Sequence, residues 1–86
     1  MAEKQVTVTN PSGLHARPAA VFIQTASRFE SSIKIEKNGK EVDAKSLLGV
    51  MSLAVKPNET ITIRAEGEDA ETAVEQLCQL VESYTE

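Results

Sequence analysis

Short segments in which hydrophobic and polar residues alternate recur along this chain, as in strands that bury one face. Asn38-Gly39 joins two of them, and this dipeptide is favoured in type I′ turns, so it predicts a β-hairpin. The apolar positions of the four predicted strands are Val6 and Val8, Ile33 and Ile35, Val42 and Ala44, and Ile61, Ile63 and Ala65.

Apolar residues at helical spacing predict three helices between and after these strands. The first begins at Ala16 and runs for about three turns. The second follows Ser46, a good N-cap residue, for about two turns, and the third extends from Ala70 to Tyr84. The order β-α-β-β-α-β-α predicts a single α+β domain over residues 1–86. We expect an open-faced β-sandwich: a four-stranded antiparallel sheet with three helices on one face.

Composition narrows the classes of function. Thirteen acidic residues against nine lysines and arginines give a net charge of −4, which argues against nucleic acid as a direct partner. No apolar run approaches the roughly 20 residues of a membrane span, and the N-terminus lacks the apolar region of a signal peptide, so we expect a cytoplasmic protein. One histidine and one cysteine cannot supply, within the chain, a zinc site with three or four nitrogen and sulfur ligands, and we expect neither metal nor cofactor.

The segment GLHARPAA contains His15, the only histidine of the chain. Pro18 is tolerated only in the first turn of a helix, which predicts that His15 occupies the N-cap, where free amides and the positive end of the helix dipole favour an anion. Arg17 can reach the same place, and no acidic residue occurs from Gln5 to Phe29. A neutral imidazole in this setting is suited to accept a phosphoryl group.

Other residues have plainer interpretations. A lone histidine at a helix start is usually a surface residue, and Ser46 by itself is simply an N-cap. Ser12 either donates a hydrogen bond to a phosphate or forms the turn. Cys78 is interpreted as a packing residue. The acids around the last helix are interpreted as a solvated cap: Glu66, Glu68, Asp69 and Glu71.

Two motifs, GLHARPAA around His15 and KSLLGVMSL around Ser46, resemble the histidine-containing phosphocarrier protein HPr of the bacterial sugar phosphotransferase system. The resemblance covers essentially the whole chain. It implies that His15 accepts a phosphoryl group, on the pros nitrogen of its ring, from enzyme I charged by phosphoenolpyruvate. The group then passes to enzyme IIA components, while Arg17 stabilises the phosphate. The protein would be a carrier, not an enzyme in its own right.

The resemblance also implies a regulatory role for Ser46. In HPr proteins of low-GC Gram-positive bacteria, the matching serine is phosphorylated by an ATP-dependent enzyme, HPr kinase/phosphorylase. The phosphoserine form then binds the catabolite control protein, a transcriptional repressor, as its corepressor in carbon catabolite repression. A phosphate at a helix start would be stabilised by the amide ends.

A docking patch for enzyme I and enzyme IIA is predicted beside these residues. The apolar run after Ser46 lies on a helix too short to bury every face, so part of it should be exposed. Arg17 and Lys45 would contact acidic groups of the partners. The patch comprises Ala16, Ala20, Leu47, Leu48 and Met51.

Three classes of function remain open. The first is a phosphocarrier. The second is a regulator-only module that acts through phosphoserine without phosphotransfer; a paralogous branch of the family lacks the active histidine, and the presence of His15 favours the carrier. The third is an unrelated small α+β binding domain in which neither residue is modified.

Overall fold

The computed structural model describes residues 1–11, 13–14 and 16–84. The elements follow the predicted order. They are β1 (Ala2–Thr7), α1 (Ala16–Ala26), β2 (Ser32–Lys37), β3 (Lys40–Asp43), α2 (Leu47–Ser52), β4 (Thr60–Glu66) and α3 (Ala70–Ser83).

One antiparallel sheet contains all four of these strands in the order β1-β4-β2-β3. Ile63 lies opposite Ile35 in the register, so the buried positions of neighbouring strands coincide. Asn38 and Gly39 both have positive φ, 52° and 85°, as the predicted type I′ turn requires. The α+β open-faced sandwich is therefore confirmed.

Strand β1 differs from its predicted position. The alternation of apolar and polar residues predicts a strand around Val6 and Val8, but β1 starts at Ala2 and ends at Thr7. Its polar first half is drawn into the sheet because β4 pairs with it from Ala2 to Thr7. Val8 lies beyond the strand yet is fully buried, and its N–H donates to the carbonyl of Glu59 at 2.9 Å. Tertiary pairing here outweighs the local pattern.

The core lies between the sheet and the helices. Phe22 of α1 and Leu77 of α3 are buried against the sheet's inner face. Cys78 is also buried, as predicted, and burial raises the pKa of its thiol. The largest fully buried side chains are Phe22, Ile33, Ile35, Ile61, Ile63, Leu77, Val8 and Val50.

On the outer face of the sheet, one guanidinium connects the four strands. Arg64 of β4 contacts Glu3 of β1 through Nε at 2.7 Å. Its two terminal nitrogens contact Glu36 of β2 at 3.2 Å and Glu41 of β3 at 2.6 Å. These carboxylates raise the pKa of Arg64, with the hydrogen bond to Glu3 contributing most.

The interpretation of Asp69 as a solvated cap is wrong. Asp69 is the N-cap residue of α3, but its side chain makes no capping hydrogen bond. Its carboxylate instead accepts hydrogen bonds from the N–H of Glu30 at 2.9 Å, the N–H of Ser31 at 3.0 Å and the Ser31 hydroxyl. The hydroxyl bond is the main cause that lowers the pKa of Asp69, so this acid joins α3 to the start of β2.

Candidate functional site

The segment that leads into α1 is held by the chain that follows α2. The N–H of Leu14 donates to the carbonyl of Val55 at 3.0 Å. Gly13 lies beside the same carbonyl with φ 61°, and a Cβ there would be 2.2 Å from the oxygen. Buried Asn10 accepts from the N–H of Gly13 and donates from Nδ2 to its carbonyl at 2.8 Å. The predicted site residues His15 and Ser12 lie outside the described residues.

Helix α1 begins at Ala16, as the proline predicted. Pro18 falls in the first turn and is buried, whereas Ala16 and Arg17 are exposed. The first amides of any helix lack intrahelical acceptors, and the first turn of α1 contains no acidic residue. The start of α1 therefore favours an anion, and Arg17 in the same turn carries a positive charge.

Ser46 is the N-cap of α2, as predicted. Its backbone is extended, with φ −108° and ψ 118°, and its hydroxyl accepts a hydrogen bond from the N–H of Gly49 at 3.1 Å. The turn before it is fixed by Asp43, whose carboxylate accepts from the N–H of Lys45 at 2.9 Å and whose carbonyl accepts from the N–H of Ser46 at 3.1 Å. Ser46 is thus presented on an ordered turn at the helix start.

Lys45 is predicted to contact acidic partners, yet its ammonium already has an acceptor within the protein. Its Nζ donates to the carbonyl of Phe29 at 2.8 Å, beyond the end of α1. This bond ties the start of α2 to the chain that follows α1, and the two helices pack together. A partner that binds Lys45 through a carboxylate must therefore compete with an internal hydrogen bond.

The predicted docking patch is partly exposed. Leu48 is 83% exposed and Leu47 is 46% exposed, which confirms that the apolar run is not fully buried. Ala16 is exposed as well, while Ala20 and Met51 are half-buried. The two helices that carry these residues, α1 and α2, pack against each other.

The ion pair between Lys37 and Glu59 was not predicted. Glu59 Oε1 accepts from Lys37 Nζ at 2.9 Å and from the N–H of Lys56 at 2.7 Å. The hydrogen bond from the backbone N–H of Lys56 lowers the pKa of Glu59 most, followed by the hydrogen bond from the side chain of Lys37. The pair joins positions 22 residues apart, so no local spacing rule could reveal it.

The described residues contain neither a cluster of metal ligands nor a helix suited to a membrane. Within residues 1–11, 13–14 and 16–84, no three histidine, cysteine, aspartate or glutamate side chains are grouped so as to hold a metal ion. Each helix in this part of the chain is too short or too polar to cross a membrane.

Comparison with known families and proteins gives consistent matches. The family described as PTS HPr component phosphorylation site matches residues 2–83. The HPr-like protein Crh of Halalkalibacterium halodurans is 54% identical over 82 residues, covering 95% of this chain and 98% of that protein. The phosphocarrier protein HPr of Xylella fastidiosa is 46% identical over 83 residues, covering 96% of this chain and 93% of that protein.

Solved structures agree with these sequence matches. The crystal structure of HPr-C-His from Thermoanaerobacter tengcongensis has a TM-score of 0.94 and 49% identity, and the match covers 96% of this chain and 93% of that one. The solution structure of Crh, the Bacillus subtilis catabolite repression HPr, has a TM-score of 0.71 and 46% identity, with 98% and 100% coverage.

Proposed function

Because this chain belongs to the HPr family of the phosphotransferase system, we propose that it carries a phosphoryl group on His15 in the cytoplasm. Enzyme I, charged by phosphoenolpyruvate, is the donor, and enzyme IIA components are the acceptors. The observation that carries this proposal is the family match over residues 2–83, which includes the only histidine of the chain.

The transfer uses the lone pair of a ring nitrogen. As the pros nitrogen of His15 forms a bond to phosphorus, the bond between phosphorus and the donor breaks, and its electron pair stays with the donor. The other ring nitrogen keeps its proton. Onward transfer reverses these events, with enzyme IIA supplying the incoming lone pair.

The surroundings of the histidine in the chain support this role. Ala16, the next residue, starts α1, whose first amides and dipole favour negative charge, and Arg17 supplies a planar cation that matches a phosphate. The acid-free sequence from Gln5 to Phe29 avoids repulsion of an incoming dianion. The hydrogen bond from the N–H of Leu14 to the carbonyl of Val55 holds the residues before His15 in place. Enzyme I and enzyme IIA supply the phosphoryl donor and the phosphoryl acceptor.

The experiment is phosphorylation of the purified protein by enzyme I and phosphoenolpyruvate, followed by intact mass measurement. We expect the mass of one phosphoryl group, lost on acid treatment, and no gain in His15→Ala. Ser46→Ala is the matched control and should be labelled like the wild type. Labelling of His15→Ala, or acid-stable labelling, would contradict the proposal.

A second function is favoured by the similarity to Crh proteins, of which the one from Bacillus subtilis is known as the catabolite repression HPr. We propose that HPr kinase/phosphorylase phosphorylates Ser46 and that the phosphoserine form binds the catabolite control protein as corepressor. The phosphate would add about −1.5 to −2 charges at the start of α2, where helix amides stabilise it. This second function is compatible with carriage on His15.

Two variants separate the functions. Ser46→Ala should abolish labelling by ATP and the kinase and abolish binding to the catabolite control protein, while His15→Ala should leave both unchanged. If the protein acts only as a regulator, the wild type will accept phosphate from ATP and the kinase but not from enzyme I.

A further inference from the structure

The geometry points to Lys37 and Glu59 as positioning residues for the segment of Gly13 and Leu14 that leads to the phosphoryl-accepting histidine. This inference rests on the proposed carrier function. The two side chains act through residues 54–59, which we call the support segment. Glu59 lies in the support segment, and Lys37 lies in the β2–β3 hairpin. The family match by itself assigns neither residue a role.

The ion pair joins the hairpin to both ends of the support segment. Lys37 Nζ donates to the carbonyl of Ala54 at 3.0 Å, at one end, and contacts Glu59 Oε1 at 2.9 Å, at the other. The side chain of Lys37 is only 14% exposed and that of Glu59 is 33% exposed. One ammonium therefore contacts both Ala54 and Glu59 and fixes the distance between the two ends of the support segment. Because both side chains are partly buried, water screens this ion pair less than it screens a fully exposed pair.

Glu59 is also tied within its own turn. The oxygen that meets Lys37 also accepts from the N–H of Lys56 at 2.7 Å. The backbone carbonyl of Glu59 accepts from the N–H of Val8, and the N–H of Asn58 donates to the carbonyl of Val8 at 2.6 Å. The support segment is thus held by the hairpin on one side and by the chain after β1 on the other.

Val55 lies within the support segment and contacts Gly13 and Leu14, the residues that lead to His15. Its carbonyl accepts from the N–H of Leu14 at 3.0 Å and lies against Gly13, where no Cβ fits. Displacement of the support segment therefore changes the position of Leu14, the residue before His15. Because a phosphoryl acceptor must be held in a narrow range of geometry, this displacement slows transfer without touching the reacting atoms.

The variants are Lys37→Met, which keeps much of the apolar stem, and Glu59→Gln, which keeps an oxygen for the N–H of Lys56. We measure the rate of His15 phosphorylation by enzyme I at limiting and saturating concentrations, and hydrogen exchange of the Leu14 and Ile63 amides by NMR. We expect kcat/KM to fall about two- to fivefold in each variant, because a partly exposed ion pair contributes little free energy and its loss cannot raise the barrier to transfer by more than that contribution.

The Leu14 amide should exchange faster in both variants while that of Ile63, in the core strand β4, stays unchanged. The double variant should be no slower than the worse single variant, because both remove one interaction. Lys37→Arg should restore wild-type rates. Lys40→Met is the matched control: its Nζ donates to the carbonyl of Ser52 at 3.3 Å and lies in the same hairpin. It should leave Leu14 exchange and phosphorylation unchanged.

Three results would overturn the positioning role: unchanged Leu14 exchange in both variants, equal acceleration at Leu14 and Ile63, or an unchanged rate of transfer despite faster Leu14 exchange. Failure of the carrier function looks different, because the wild type itself would then accept no phosphate from enzyme I while Leu14 exchange still responded to the variants.

Discussion

Gly13 passes so close to Val55 that a Cβ on residue 13 would lie 2.2 Å from the Val55 carbonyl oxygen. The φ of Gly13 is 61°, a region that L side chains rarely adopt. Glycine is therefore required twice at this position, for its backbone angle and for the space that its missing side chain leaves. The same approach lets the Val55 carbonyl accept the N–H of Leu14.

Gly13→Ala should lower the free energy of unfolding by about 2–4 kcal/mol, because a clash with backbone adds to the cost of a left-handed angle. Gly39→Ala is the control, since Gly39 has φ 85° but nothing within 4 Å of the new Cβ. It should cost only about 1 kcal/mol. Urea unfolding of both variants measures the difference, and equal losses would show that the contact with Val55 does not matter.

Ala54→Gly should stabilise the protein by up to about 1 kcal/mol. Ala54 is exposed with φ 51°, and relief of this angle exceeds the entropy that glycine adds to the unfolded chain. Asn58→Gly is the control at φ 71°; its gain should be smaller, because asparagine tolerates this region. Thermal and urea unfolding test both, and a destabilised Ala54→Gly would contradict the explanation.

Asp69→Asn should lower stability near neutral pH, and its deficit should shrink in acid. The pKa of Asp69 is lowered in the folded protein, chiefly by the Ser31 hydroxyl, from an ordinary value of 3.8. The charged carboxylate therefore stabilises the fold fully above that value, and its contribution disappears as pH falls through the lowered folded value. Urea midpoints from neutral pH down to about pH 2 test this dependence.

The control for Asp69 is Glu71→Gln, which removes an exposed acid from the first turn of the same helix. Its deficit at neutral pH should be smaller, since an exposed charge at a helix start contributes little. A deficit of Asp69→Asn that grows in acid would refute the linkage.

Leu48→Asp should impair transfer without unfolding the protein. At 83% exposure the substitution should change the free energy of unfolding by no more than about 0.5 kcal/mol. A charge in the docking patch should reduce transfer from enzyme I and to enzyme IIA by about tenfold or more. Leu48→Met conserves volume and should transfer normally. Normal transfer by Leu48→Asp would exclude the patch as a shared docking surface.

The parts of the fold that could be predicted from the sequence are those that depend on residues close together in the chain. The alternation at Ile61 and Ile63, the turn at Asn38-Gly39 and the N-cap at Ser46 depend on neighbouring residues, and all three are confirmed. The start of α1 at Ala16 followed from Pro18 in the same way. The N-cap position of His15 remains a prediction.

Long-range pairing explains what was missed. Asp69 contacts Ser31 across 38 residues, and Lys37 contacts Glu59 across 22. Nothing in the neighbourhood of either residue specifies its partner, which is set by the order of strands in the sheet. By contrast, the exposure of Leu48 could be predicted, because it follows from the length of one short helix, which is a local property.

The sheet order also constrains how the protein is made. Of the four strands, β1 emerges first from the ribosome, but it pairs with β4, the last of them, with Ala2 opposite Ala65. A nascent chain that ends before β4 can form the β2–β3 hairpin yet leaves its first strand without an adjacent partner. Folding of the sheet is therefore delayed until β4 has been synthesised.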